Sequence, residues 1–144
     1  MTEDTKKAGG GFKLSELRTD VSKSEEGVWC DVGEGFAIKV ARIGHPKYQA
    51  YIAKLTKPHT RQIRRQGIGA PILRDIQRKA TAKYLLLDWR NLHDDDGNEI
   101  PYSETKALEL LSDPQYDEFL ELVLEYAQDT EIFRAEDEAD AEKN

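Results

Sequence analysis

The stretch Leu85-Leu86-Leu87-Asp88-Trp89-Arg90-Asn91-Leu92-His93-Asp94-Asp95-Asp96-Gly97-Asn98-Glu99-Ile100-Pro101-Tyr102-Ser103 decides how this chain is read. Leu85 to Leu87 and Trp89 are too apolar to sit in water, so they anchor a core. Asp94 to Asn98 is turn chemistry: Asp and Asn side chains bond their own backbone, and Gly97 takes a positive φ at no steric cost. The residue before a proline avoids the helical region, so Ile100-Pro101-Tyr102 returns to the core in extended form. Ser103 then caps a helix. Read in this way, the stretch is the apolar end of one helix, an acidic turn and the start of the next. A calcium loop fits poorly. With Gly97 in the sixth place of an EF-hand, Asp94 and Asp96 fall on ligand positions 3 and 5. Leu92 takes the first position and Ser103 the twelfth, so both end ligands are missing, and no metal is expected.

Upstream, Pro71 suits a first helical turn, where its missing N–H costs nothing. Ile72, Leu73, Ile76, Ala80, Tyr84 and Leu87 make one stripe, while Arg74, Arg78, Lys79 and Lys83 stay wet. This predicts a long helix over 71–90. Pro46 opens an earlier helix with Tyr48, Tyr51, Ile52 and Leu55 on one face, stopped by Pro58. His59 to Gln66 is a short basic helical turn ended by Gly67. Before these, Val28, Cys30 and Val32 alternate with Trp29 and Asp31, and Phe36, Ile38 and Val40 alternate with Ala37, Lys39 and Ala41. With Gly33-Glu34-Gly35 between them, 28–42 reads as a β-hairpin, which alone is marginal in water and so lies on helices. Downstream, Ser103 starts a short helix carrying Ala107, Leu108 and Leu111. Asp113-Pro114 starts another, whose stripe is Tyr116, Phe119, Leu120, Val123 and Ala127.

The expectation is an α+β fold, mainly α-helical, with one N-terminal hairpin packed on four or five helices. Residues 1–26 read as a flexible arm from which Phe12, Leu14 and Leu17 could dock. Residues 27–133 form a single globular domain, and 134–144 an acidic disordered tail. Expected core residues are Trp29, Phe36, Tyr48, Ile76, Leu87, Trp89, Tyr102 and Phe119.

Composition narrows the function. Of 144 residues, 34% are charged and 38% hydrophobic, and no apolar run approaches the roughly 20 residues that span a bilayer. The polar start, Met1 to Lys7, has no apolar signal core, so no export signal is expected. Cys30 is the single cysteine and reads as a small buried residue. The net charge of −7 hides two poles. Residues 42–83 carry eleven bases and one acid, while 84–144 carry four bases and nineteen acids. Such poles attract within a fold or between copies. His45, His59 and His93 are scattered, no nucleophile motif is present, and the carboxylates lie in wet segments. The reading is a non-enzyme without cofactor. Arg61, Arg64, Arg65, Arg74, Arg78 and Lys79 could contact phosphates, which keeps a small nucleic-acid-binding regulator using 59–83 as the alternative. The acidic balance of the whole chain argues against it.

Trp29, then Phe36 to Arg42, then His45-Pro46-Lys47-Tyr48 resemble the first half of siphophage tail assembly chaperones. Leu87-Asp88-Trp89, Asp94 to Gly97, Ile100 to Ser103, Ala107 to Leu111 and Phe119 resemble the second half in order and spacing. The resemblance covers about 28–133. It implies a small, mainly helical, non-catalytic protein of phage or prophage origin. Such chaperones bind the tape measure protein, keep its apolar helices soluble, and help recruit tail tube subunits, often through a longer frameshifted form. It further implies action in the host cytoplasm and absence from the mature virion.

A partner surface is expected on the last helix. Leu122, Leu124 and Tyr126 fall outside its core stripe, so they meet either a partner or a second buried face. Flanked by Arg61, Arg64, Arg65, Arg74 and Arg78, they would hold amphipathic client helices. Self-association remains open.

Overall fold

The computed structural model describes residues 11–135. The expected hairpin forms from β1 (Val28–Gly33) and β2 (Phe36–Val40), paired antiparallel from Val28↔Val40 to Gly33↔Phe36. Its turn needs the left-handed region: φ is 140° at Gly33, 55° at Glu34 and 81° at Gly35. Glycine on either side makes that affordable and leaves one strained residue.

The expected helix over 71–90 is corrected. α-Helix ends at Ala80, a π-helical turn covers Thr81–Leu85, and Leu86–Arg90 is a strand, β3. β3 pairs antiparallel with β2, setting Ile38 opposite Trp89, and the sheet order is β1-β2-β3. A short apolar run fits helix and strand equally by periodicity. Backbone satisfaction decides between them. Ile38 and Val40 are fully buried, and without β3 the free edge of β2 would leave buried N–H and C=O groups unpaired.

The helices are α1 (Val21–Glu26), α2 (Pro46–Thr56), α3 (Thr60–Gln66), α4 (Pro71–Ala80), α5 (Glu104–Ser112) and α6 (Asp117–Gln128). The class is α+β, mainly α-helical. The inner sheet face, with Cys30, Ile38, Val40, Leu86 and Trp89, joins Leu111 of α5 and Leu120, Val123 and Ala127 of α6 in one core. α2 ends at Thr56, just before Pro58 as expected, and a 3₁₀ turn at Lys57–His59 carries the chain on into α3. His45, buried before α2, donates from Nε2 to the Tyr84 carbonyl at 3.2 Å and so ties α2 to the π turn.

Of the expected core residues, Tyr48, Ile76 and Trp89 are buried, and Phe36, Leu87, Tyr102 and Phe119 pack partly buried against the core. Trp29 is the correction, at 38% exposed. It lies on an edge strand and on the sheet face away from the helices, where the Arg90 guanidinium stacks 4.4 Å from its ring centre. Arg90 is also opposite Ala37 in the sheet, so the stacked pair roofs the strand between them and keeps Ala37 buried.

The arm expected over 1–26 is shorter among the described residues. Asp20 caps α1 by accepting from the Lys23 N–H at 3.1 Å. The Asp20 N–H donates to the Phe133 carbonyl, the Ala135 N–H to Arg18, and the Arg42 N–H to Ser24, each at 2.8 Å. Thr19 also pairs with Arg134. Hydrogen bonds, which hydropathy does not register, hold this polar segment on the domain. Phe12, Leu14 and Leu17 do not dock and are exposed. Residues 1–10 of the expected arm and 136–144 of the expected tail lie outside the described residues.

Candidate functional site

The partner face expected on α6 is closed. Leu124 is 5% exposed, and Leu122 and Tyr126 pack partly buried against the core. The Tyr126 hydroxyl donates to the Asp31 carbonyl at 3.4 Å, reaching the β1 edge. α6 is therefore covered on two sides, and its surplus apolar residues serve the second. The five arginines also divide. Arg74 donates to Glu121 at 2.7 Å and Arg78 to Asp117 at 3.1 Å, both acids on α6. Arg61, Arg64 and Arg65 lie on exposed α3. Part of the attraction between the charge poles is thus spent inside the fold.

Two apolar openings take the place of that face. The first is a trough of about 660 Å³ between α2, α4 and the loop joining α3 to α4, lined by Ile43, Ile52, Ile68, Leu73 and Ile76 among others. Ile68 is 94% exposed at its lip. Arg74 also lines it; α3 joins its two walls in sequence, and Arg61 and Arg64 line a separate recess with Lys57 and Thr60. Gly67 and Gly69 mark this loop in the sequence, but a single isoleucine between glycines has no periodicity to flag it.

The second opening is an aromatic cleft of about 350 Å³ lined by Phe36, Leu92, Ile100, Leu110, Tyr116 and Phe119, with His93, Asp94 and Asp95 at its rim. Its walls are braced. Phe119 meets Phe36 and Trp89 at ring separations of 6.4 and 6.3 Å. Trp89 lies edge-on to Tyr102 at 5.0 Å and donates from Nε1 to the Ile100 carbonyl at 2.7 Å. The rim is the acidic turn. One Asp94 carboxylate oxygen accepts from the Asp96 and Asn98 N–H groups at 3.0 and 2.9 Å, holding the turn as its sequence predicts.

Neither opening gathers reactive groups. Among the described residues no three His, Cys, Asp or Glu side chains are placed to hold a metal ion. Burial, reinforced by Asp129, pushes the Cys30 thiol up to about 11, so it stays protonated and inert at neutral pH. Lys47 and Glu25 form a hydrogen-bonded pair that lowers the Glu25 carboxyl and raises the Lys47 ammonium. Both are exposed, a surface brace rather than a site. No described helix is long and apolar enough to cross a membrane. What the arrangement offers is two apolar recesses, one with Arg74 in its lining and one with Asp94 and Asp95 at its rim.

No curated protein and no solved structure matches the chain. A family model described as YdaY prophage protein matches residues 43–144, from the segment before α2 to the end of the chain. That span takes in the trough, β3, the acidic turn and α6 and leaves out the hairpin. It covers well over half the sequence, and the chain therefore belongs to the YdaY prophage protein family, a protein of phage origin.

Proposed function

We propose that this protein is a non-enzymatic phage tail assembly chaperone. It binds amphipathic helices of the tape measure protein, keeps them soluble in the host cytoplasm, helps recruit tail tube subunits, and leaves before the virion matures. One observation carries the reading: the trough between α2 and α4, with Ile68 94% exposed at its lip. An apolar trough between two helices matches the helix-in-groove mode of recognition. The exposed arginines of α3, the segment that joins the trough's two walls, suit a client helix with an acidic face, speeding encounter while apolar contact holds the complex. The resemblance to siphophage tail assembly chaperones supports the same assignment.

The alternative, a nucleic-acid-binding regulator, is weakened because Arg74 and Arg78 are engaged by Glu121 and Asp117. Co-expression with a tape measure protein tests the assignment. The wild type keeps the client in the soluble fraction, and Ile68→Asp, which folds normally, lets it precipitate. Retained solubility with Ile68→Asp excludes the trough as the site. DNA binding with a steep salt dependence would favour the regulator instead.

A further inference from the structure

The N-terminal segment presents large apolar side chains that the domain does not use. Phe12 is 70% exposed, Leu14 82% and Leu17 53%, and the 3₁₀ turn Leu14–Leu17 that carries two of them buries no residue. Single exposed apolar residues are ordinary, but three within six residues mark a contact surface. Lys13 sits between Phe12 and Leu14 and is the one charged residue among them; Glu16 and Arg18 follow further along. The aromatic cleft has the complementary character: an apolar interior of about 350 Å³ under a rim of Asp94 and Asp95, with Asp96 and Glu99 in the same turn.

We propose that two copies of this chain exchange N-terminal arms, Phe12 and Leu14 of each filling the aromatic cleft of the other while Lys13 faces Asp94 and Asp95. Topology favours exchange between copies. The arm leads through α1 into Gly27, beside the Val28↔Val40 end of the hairpin, and Ser24 is bonded to Arg42 just past β2. The cleft lies by Phe36, at the opposite, turn end of the same strands. Two copies related by a two-fold axis, with sheets running antiparallel side by side, bring each arm root to the other's cleft. Both contacts then form together, which is the self-complementary arrangement of a two-fold dimer. The trough lies on other elements, so this dimer and the proposed client site are separate.

Analytical ultracentrifugation of the full chain tests the proposal. The wild type sediments as a dimer, and Phe12→Asp with Leu14→Asp weakens dimerisation by roughly thirtyfold or more, the loss expected for an interface anchor. Tyr116→Arg, at a half-exposed position on the cleft wall, does the same from the other side. The decisive sample mixes the two variants. One has an intact cleft and the other an intact arm, so a heterodimer forms that neither gives alone. Circular dichroism confirms that each folds, and a Leu14→Cys chain mixed with an Asp95→Cys chain forms an intermolecular disulfide on mild oxidation. A monomeric wild type, variants that dimerise unchanged, or a mixture that stays monomeric overturns the proposal. Client solubility assayed on the same arm variants is unaffected, which keeps this outcome separable from failure of the trough.

Discussion

The trough and the cleft are both apolar, yet they are built differently and lined by different charged residues. The trough walls are side chains of α2 and α4 and a short loop, with Arg74 as the charged residue in its lining. The cleft is enclosed by strand ends, α5, the start of α6 and the acidic turn, and its aromatic walls are pinned by the Trp89 and Asp94 hydrogen bonds. Helix side chains can change rotamer without moving backbone, so the trough as the proposed client site would suit varied helices. The cleft depends on a hydrogen-bonded backbone turn, so it selects a narrow shape. In the two proposed roles charge would sort the occupants, because like charges across an interface are repelled and opposite ones attracted. One small domain can in this way keep two apolar recesses without their competing for the same segment.

The comparison breaks most visibly if the closed face of α6 is forced open. Leu124→Asp places a carboxylate at a core position and should cost more than about 4 kcal/mol, abolishing folding and both recesses with it. Ile68→Asp, the same chemistry at the trough lip, should change stability by no more than about 0.5 kcal/mol. Urea denaturation of the pair measures both. Trp89→Ala separates the recesses. It removes the brace behind Phe119 and should cost about 3–5 kcal/mol, read from the shift in denaturation midpoint. If the variant remains folded, the arm contact weakens while the trough keeps its client. The smallest effect is at the rim. Arg74→Ala deletes a partly exposed pair with Glu121 and should cost about 0.2–1 kcal/mol, shrinking as salt is added. A double-mutant cycle with Glu121→Ala checks it.

Much of the fold was legible because its periods are clean. The alternation through Phe36, Ile38 and Val40 marked the hairpin, the face of Tyr48 and Ile52 marked α2, and Ser103 marked the α5 cap, which accepts from Lys106 at 3.0 Å. Leu86 to Arg90 was not legible as a strand, because three leucines followed by Asp-Trp satisfy either period until β2 demands a partner. Trp29 misled because hydrophobicity does not tell the two faces of a sheet apart. Leu124 misled in the opposite direction: a helix stripe describes one buried face, and only the tertiary arrangement shows that α6 has two. The candidate surfaces were less legible still. Ile68 stands alone in a glycine loop, and the cleft draws its walls from residues as far apart as Phe36 and Phe119. The acidic turn was legible as a turn, and its place at the rim of an aromatic recess was not.

The pairing of Thr19 with Arg134, with Asp20 bonded to Phe133 and Ala135 to Arg18, has a mechanical consequence. The chain enters and leaves the domain side by side, like the two legs of a clip. Tension applied between the ends opens these few bonds one after another before any load reaches the sheet or α6. Whatever polypeptide is joined at either end therefore pulls on the domain at nearly the same point of its surface.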